Sequence, residues 1–221
     1  MDDNIFCPDK RKNKKYYSCA RNEMLKFVPP GVHKVLEIGC AEGSFGLLLK
    51  RLRGVEVWGV DMSLPVADEA ISRLDHFIVG DFEDENVDVP KKYFDCVVFN
   101  DVIEHFKYPW TVLRDVREYI VEGGYVVASI PNVRFLSNIK KLLIDKQWKY
   151  EDEGILDKTH LRFFVEESIR DMFKACDYRI IKLEGINAGK FSWKFEIINR
   201  ILFNMFEDMR FRQFACVAQK E

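Results

Sequence analysis

A glycine-spaced turn between a buried apolar run and an amphipathic segment constrains this chain more than any other feature. Residues 35–38 are apolar apart from Glu37, and Gly39 and Gly43 follow them. Residues 44–52 then repeat apolar positions at helical spacing. Because glycine lets the backbone turn tightly and approach a ligand closely, the pattern predicts a buried strand, a ligand-binding turn and a helix.

A second apolar run ends in a carboxylate further along the chain. Residues 55–60 suit a buried strand, and Asp61 follows them. Nucleoside-binding α/β folds place the acid that binds the ribose hydroxyls about 20 residues after such a turn. The Gly-x-Gly-x-x-Gly pattern that a dinucleotide pyrophosphate needs is missing. The spacing therefore predicts a nucleoside-binding site, and the missing pattern argues against a dinucleotide as its ligand.

Length and charge suit one globular domain over residues 1–221. Hydrophobic residues make up 48% of the chain, and 34 Lys and Arg nearly balance 36 Asp and Glu. This balance predicts no overall attraction for nucleic acid or anionic membranes. The first residues lack the apolar core of a signal peptide, and no apolar run is long enough to span a bilayer. We expect a cytoplasmic protein.

Cysteine spacing supports the same compartment. No two of the six cysteines form a Cys-x-x-Cys pair, and several lie in strand-like runs. Such cysteines are typical of reduced, packed thiols in a cytosolic protein. They are Cys7, Cys19, Cys40, Cys96, Cys176 and Cys216.

Strand and helix patterns alternate along most of the chain. Strands are predicted at residues 33–38, 55–60, 77–79, 94–99, 125–130, 178–184 and 211–219. Helices are predicted at residues 44–52, 65–74, 110–121, 133–144, 166–176 and 193–209, with Glu122, Gly123 and Gly124 ending the third. The pattern predicts a doubly wound, seven-stranded, mostly parallel α/β sheet with an antiparallel last strand.

Three segments stand apart from this alternation. Residues 1–30 form an N-terminal arm or cap, whose basic run 10–15 is typical of a solvated segment. Residues 131–161 are too long for a simple connection and predict a lid or acceptor-binding insertion. The aromatic residues of the last helix region predict core packing or a dimer face. These aromatic residues are Phe191, Trp193, Phe195, Phe203 and Phe206.

Taken together, these motifs resemble the class I S-adenosylmethionine-dependent methyltransferases, which have a Rossmann-like fold. The resemblance covers nearly the whole chain after residue 16. Its motifs are residues 35–43, 58–61, 79–82, 94–101 and 123–132. Ala41 departs from the pattern, since the family often has glycine there, and makes the turn less open.

The resemblance implies a set of cofactor-binding residues. Glu37 would order the amino end of the cofactor, Asp61 would bind the ribose hydroxyls, and Asp81 would accept the adenine amino group. Each acid also has a plain structural interpretation: Glu37 as a partner of Lys34, Asp61 as a helix cap and Asp81 as a solvated loop acid. The full set is Tyr17, Glu37, Gly39, Cys40, Ala41, Gly43, Asp61, Met62, Asp81, Phe82, Asn100 and Asp101.

Candidate catalytic residues follow the fourth predicted strand. If a helix begins at Asp101, then Glu104 and His105 share a face with it. His160, at the end of the insertion, is a candidate base or acceptor-orienting residue. We therefore take His160, Asp101 and His105 as the catalytic candidates, against the alternative that Asp101 and Glu104 form a helix capping box.

The same turn is similar to one in small-RNA 3′-end 2′-O-methyltransferases and ubiquinone-pathway O-methyltransferases. In the RNA enzymes a later histidine completes a divalent metal site. The resemblance implies a possible site for Mg²⁺, Mn²⁺, Fe²⁺ or Zn²⁺. The alternative is that His105 packs over the cofactor without metal. The implied ligands are Asp101, Glu104, His105 and His160.

Residues 148–152 and 159–164 look like a bacterial methyltransferase branch that accompanies glycosyltransferases in surface polysaccharide synthesis. This resemblance implies methyl transfer to a small-molecule or sugar hydroxyl. A small-RNA acceptor is the alternative enzyme hypothesis, weakened by the near-neutral charge. A non-catalytic cofactor-binding regulator is the other alternative.

Overall fold

Seven strands form one sheet in the computed structural model of the chain, which describes residues 21–83 and 87–221. The strands are β1 (Lys34–Ile38), β2 (Glu56–Asp61), β3 (His76–Val79), β4 (Phe94–Asn100), β5 (Ile120–Pro131), β6 (Tyr178–Ala188) and β7 (Phe211–Lys220). Their order is β3-β2-β1-β4-β5-β7-β6. β7 runs antiparallel to both of its neighbours, β5 and β6, and the other neighbouring strands are parallel. The predicted fold class is confirmed.

Helices connect these strands. They are α1 (Ser44–Arg53), α2 (Ala67–Arg73), α3 (Pro109–Val116), α4 (Leu136–Leu143), α5 (Glu166–Lys174) and α6 (Trp193–Ile201). Short 3-10 helices occur at Asn22–Phe27, Leu64–Val66, Ile103–His105 and Glu207–Arg210. Within the described ranges, no helix combines the length and the apolar character needed to cross a membrane.

The antiparallel strand is not itself the sheet edge. β7 lies between β5 and β6, with Val127 paired to Val217 and Leu183 paired to Cys216. β6 therefore forms the edge. This placement buries residues 214–218 on both faces, which suits their continuous apolar character.

Two predicted element boundaries are wrong. The helix before β5 ends at Val116, and Ile120 already pairs with Phe94. Gly123 and Gly124 therefore lie in a bulge of β5, where a Cβ on Gly124 would lie 2.5 Å from Ile120 Cγ2. The last helix is also shorter than predicted, because α6 ends at Ile201 and two residues with positive φ follow it, Phe203 and Asn204.

The core lies on both faces of the sheet. β4 is its most buried strand, and Phe94, Cys96 and residues 97–99 have no exposed surface. The cysteines of the described residues are free and buried: Cys40, Cys96, Cys176 and Cys216. Cys7 and Cys19 lie outside the described residues.

The carboxyl ends of β1, β2, β4 and β5 open on the same edge of the sheet, because these strands are parallel. In open α/β sheets, ligands bind outside this edge. The chain segments that follow the four strands are therefore the place to look for a site.

Asn132 anchors the insertion that follows β5. Its side chain is fully buried and donates hydrogen bonds to Asp208 O and Phe211 O, both at 2.9 Å. Its own side-chain oxygen accepts from Arg134 N at 3.0 Å. Asn132 also bridges to Phe164, and Val133 N donates to Phe164 O at 2.9 Å. The two ends of the insertion therefore meet at one point.

We expect Asn132→Ala to lower the free energy of unfolding by about 2–4 kcal/mol, because two buried carbonyls lose their donor. Urea unfolding measures this change. Gln147→Ala, at an exposed position in the same insertion, is the control and should change stability by less than about 0.5 kcal/mol. Equal stability of the two variants would contradict the anchoring role.

Candidate functional site

The turn after β1 is held against the end of β2. Gly39 N and Cys40 N both donate to Val60 O, at 2.8 and 3.2 Å. Gly39 has φ 69°, and a Cβ there would lie 2.5 Å from a Val102 methyl carbon. Gly43 has the same φ and lets the chain enter α1. The predicted glycine turn therefore exists, and both glycines are needed for its backbone.

Ala41 adopts a left-handed conformation in this turn, with φ 48°. Its N–H donates to Asp61 Oδ2 at 2.7 Å, and Ser63 N donates to Asp61 Oδ1 at 2.8 Å. These charge-assisted hydrogen bonds offset the cost of about 1–2 kcal/mol for a non-glycine residue in this region. Burial raises the pKa of the Asp61 carboxyl, although both amides act to lower it. Asp61 thus ties β2 to the turn.

Glu37 is buried beneath the same turn. Its carboxylate accepts from Gly46 N at 3.1 Å and from Asn100 Nδ2 at 3.4 Å. Burial raises the pKa of Glu37 to about 8. Lys34 lies elsewhere, with its ammonium 3.7 Å from the centre of the Tyr93 ring. A buried carboxyl in this state favours a cationic ligand, which would stabilise its charged form.

Asn100 adds an acceptor at the end of β4. Its side-chain oxygen is buried and accepts no hydrogen bond from the described residues. Since buried polar atoms are normally satisfied, this oxygen fits a donor that belongs to a ligand. Glu37 and Asn100 therefore present acceptor atoms side by side.

The residues predicted to contact adenine follow β2 and β3. Asp81 Oδ1 accepts from Glu83 N at 3.0 Å, and about half of the Met62 surface is exposed. Phe82 lies edge-on to Tyr119, with ring centres 5.6 Å apart, and packs against the core. Tyr17, the remaining predicted contact, lies outside the described residues.

Asp101 is held by groups that are distant in sequence. Its Oδ1 accepts from Ser129 Oγ at 2.9 Å and from Gln213 Nε2 at 2.7 Å, and its Oδ2 forms an ion pair with Arg21. Ser129 pairs with Asn100 across β4 and β5, so its proximity follows from strand register. Sequence reasoning missed Ser129 and Gln213, and no local signal points to Gln213.

A buried acid and two histidines meet beside this network. Ligand atoms of Glu104, His105 and His160 lie within 4.8 Å of one another, and His160 Nε2 is 3.8 Å from Glu104 Oε1. The two imidazole rings pack edge to face with centres 4.7 Å apart. We call these three residues the acid–histidine cluster.

Backbone carbonyls determine which imidazole nitrogens carry protons. His105 Nδ1 is 3.1 Å from Thr159 O, and His160 Nδ1 is 3.0 Å from Ile155 O. A carbonyl oxygen only accepts, so each Nδ1 carries the proton. In the neutral rings each Nε2 therefore keeps its lone pair, which suits a base or a metal ligand.

The end of the insertion is bonded directly to the turn after β4. Leu161 N and Arg162 N donate to Glu104 O, at 2.9 and 3.1 Å. This pair of hydrogen bonds explains how two segments 55 residues apart place His105 and His160 together.

Asp101 stands outside the acid–histidine cluster, contrary to the predicted shared helix face. It has φ 57°, and the 3-10 helix begins only at Ile103. Both of its carboxylate oxygens face Arg21, Ser129 and Gln213 instead. A capping box is not formed either, since the N-terminus of this helix has no side-chain cap. The structure thus groups three of the four implied metal ligands.

A family model described as a methyltransferase domain matches residues 10–183. The chain belongs to this methyltransferase family. In three-dimensional structure it is similar to a SAM-dependent methyltransferase from Archaeoglobus fulgidus, with a TM-score of 0.68 and 20% identity over 94% of this chain and 95% of that one. Family and fold make the chain a class I S-adenosylmethionine-dependent methyltransferase.

Curated relatives are similar over part of their length. A malonyl-[acyl-carrier protein] O-methyltransferase of Paenibacillus sp. (strain JDR-2) is 29% identical over 115 residues, which are 48% of this chain and 41% of that protein. A ubiquinone biosynthesis O-methyltransferase of Cereibacter sphaeroides (strain ATCC 17023) is 25% identical over 177 residues, which are 76% of this chain and 69% of that protein. The chain thus spans less than half of the first relative.

The residues at the carboxyl edge of the sheet fit S-adenosylmethionine as the cofactor. It carries cationic groups and a ribose, and the edge offers the buried Glu37 carboxyl, the unsatisfied Asn100 oxygen and the Asp61 carboxylate.

We expect Asp61→Ala to weaken S-adenosylhomocysteine binding at least about tenfold, because the turn amides and the ribose hydroxyls lose their acceptor. NAD should bind neither the wild type nor the variant. Calorimetric titration measures the affinity of each protein for S-adenosylhomocysteine and for NAD. Asp68→Ala, near the start of α2, is the control and should bind like the wild type. Unchanged affinity in Asp61→Ala would refute the ribose assignment.

Glu37 predicts a pH-dependent stability of the ligand-free protein. Between pH 4.5 and about 8 the unfolded carboxyl is ionised while the folded one keeps its proton, so the stability contribution of Glu37 falls as pH rises through this window. The Glu37→Gln variant should therefore gain stability relative to the wild type from pH 5 to pH 8, by on the order of 3 kcal/mol. Thermal unfolding across that range measures the difference. If the unfolding temperatures of the wild type and the variant changed with pH in the same way, the raised pKa of Glu37 would be contradicted.

Proposed function

We propose that this enzyme methylates a hydroxyl oxygen of a small-molecule or sugar acceptor. The observation that carries the proposal is the acid–histidine cluster, whose Glu104 and His105 lie in the short helix that follows β4 at the carboxyl edge of the sheet. An imidazole whose Nδ1 is held by a backbone carbonyl, with an acid close to its Nε2, suits removal of a hydroxyl proton. The names of the two curated relatives also specify methyl transfer to oxygen.

Residues of the sheet edge would hold the cofactor. When bound, it supplies a methyl group on a positively charged sulfur. Glu37 and Asn100 would bind its amino end, and Asp61 would bind the ribose hydroxyls. Arg21 neutralises Asp101 beside them, so that this carboxylate acts as part of the floor of the site.

His160 acts as the base in this proposal. Its Nε2 takes the proton of the acceptor hydroxyl, while Ile155 O holds the ring through Nδ1. The imidazolium that forms is stabilised by Glu104, whose carboxylate lies 3.8 Å away. His105 packs against the ring and fixes its orientation. Burial excludes water from the proton transfer.

A divalent metal is the second candidate role for the cluster. One carboxylate and two imidazoles within 4.8 Å form a donor set that suits Mn²⁺, Fe²⁺ or Zn²⁺. In this version the metal would lower the pKa of the acceptor hydroxyl. The acceptor itself or water would have to supply the ligand expected from Asp101.

The insertion 131–161 is proposed as the lid that selects the acceptor. The rings of Trp148 and Tyr150 lie against Phe163, with centres 5.4 and 6.2 Å from its ring centre, and both side chains remain partly exposed. Such rings suit the apolar face of a sugar. The resemblance of residues 148–152 supports a role in surface polysaccharide synthesis in the cytoplasm. A small-RNA acceptor is less favoured, because the chain has a net charge of −2.

We expect His160→Ala to keep cofactor affinity and to lose methyl transfer by at least about a hundredfold, because the general base is gone. His33→Ala, at an exposed position, is the matched control and should keep full activity. Initial rates with a panel of sugar nucleotides, glycans and phenols measure both. Full activity in His160→Ala would leave this histidine a packing residue.

Chelation separates the two roles of the cluster. If His160 is a base, chelators should not change the activity. The fall in rate at acidic pH should then disappear in His160→Ala. If the cluster binds a metal, chelation abolishes transfer and Mn²⁺ or Zn²⁺ restores it. A cofactor-binding protein without transfer to any acceptor would support the regulator alternative.

A further inference from the structure

Two helices of this protein turn apolar side chains outward. Of the nine residues of α6, Asn199 alone is buried, and its side chain bonds Glu207 and Phe206 N. Of the eight residues of α4, Asn138 alone is buried. Both helices thus bury an asparagine, the reverse of an ordinary surface helix.

The exposed sides of these helices are strongly apolar. On α6, Trp193, Ile197 and Ile201 follow one another at four-residue spacing, and Phe203 beyond them is 95% exposed. At the end of α4, Leu143 and Ile144 are 71% and 72% exposed. We call these outward faces, with the residues that follow each helix, the apolar helix pair (residues 136–150 and 190–205).

The aromatic residues predicted as core or dimer face divide between two environments. Phe195 contacts Phe191 and Phe206, with ring centres 4.5 and 6.0 Å apart, and these rings fix α6 to the fold. Trp193 and Phe203 remain outside this cluster. Only part of the aromatic stripe is therefore internal packing.

The two helices begin at one joint. Phe135, which precedes α4, lies against Gly189, where a Cβ would be 3.0 Å from the Phe135 ring, and Arg212 packs over the same ring at 5.3 Å. Arg134 forms an ion pair with Asp208 at 2.8 Å. Because β5 and β6 both end at the carboxyl edge of the sheet, both apolar faces belong to the edge that carries the acid–histidine cluster.

Positive charge surrounds the apolar side chains. Segments 136–150 and 190–205 together carry seven Lys and Arg against two Asp and Glu, whereas the whole chain has a net charge of −2. Lys141 pairs with Glu151, and Glu196 pairs with Arg210. The exposed basic residues are Lys140, Lys146, Lys149, Lys190, Lys194 and Arg200.

We propose that the apolar helix pair docks on an anionic lipid bilayer. Aromatic and aliphatic side chains flanked by Lys and Arg are the chemistry that binds a helix parallel to such a surface. A second copy of the chain fits less well, because a two-fold contact would bring the same basic residues together. Docking would turn the acceptor end of the enzyme toward the lipid headgroups.

Vesicle flotation of the full chain tests this proposal without relying on catalysis. The protein should float with vesicles of phosphatidylcholine containing about 30% phosphatidylglycerol, and at least about tenfold less with pure phosphatidylcholine. Tryptophan emission should shift to the blue on binding, and Trp193→Phe should reduce that shift to the part that Trp148 contributes. High salt should release the protein. Equal binding to both vesicles, or to neither, would overturn the proposal.

Variants separate the apolar and basic contributions. Ile197→Ser with Ile201→Ser, and Lys146→Glu with Lys149→Glu, should each reduce flotation at least about tenfold. Leu52→Ser with Ile71→Ser, exposed on α1 and α2, is the matched control and should float like the wild type. A stable dimer that dissociates in the isoleucine variant, with no flotation of the wild type, would assign the face to a second copy instead.

Discussion

The Asp61 carboxylate is the interaction on which the cofactor edge depends. It accepts the amides of Ala41 and Ser63, and so joins the turn after β1 to the end of β2. A glycine at position 41 would need no such support. The acid that is expected to bind ribose is thus also the group that stabilises the strained turn. If the ribose assignment holds, one side chain serves both the fold and the ligand.

Charge is arranged differently at the two ends of the site. Glu37 is buried and Asp61 is partly buried, and the described residues place no basic side chain on either carboxyl. Burial raises the pKa of each. Asp101, only one residue beyond β4, is instead neutralised by Arg21. A positively charged ligand bound at the cofactor end would therefore stabilise the ionised form of these two carboxyls. The same two acids would repel a phosphate, so a cationic ligand fits this edge better.

Local patterns predicted much of this protein. The strands, the glycine turn and Asp61 depend on residues that are close in sequence, so periodicity and spacing reveal them. Gly123 and Gly124 misled the prediction, because a glycine pair signals a bulge as readily as a helix end.

Long-range contacts determine the rest of the site. Gln213 reaches Asp101 only because β7 inserts next to β5, and His160 reaches His105 only through the bonds from residues 161 and 162 to Glu104 O. No local pattern indicates the Gln213 contact, and only the family resemblance implied that His105 and His160 would meet. Residue spacing also does not show which face of α4 and α6 is buried. A helix that buries an asparagine has the same apolar spacing as a helix that buries leucine.

The bridge between Asn132 and Phe164 has a consequence for the segment that it closes. The segment between these residues leaves the domain and returns at the same point, so its length can change without moving β5 or α5. Each doubling of such a closed loop costs only about 0.6 kcal/mol. A change of length or sequence within this segment can therefore leave the turn after β1 and the ends of β1 and β2 as they are.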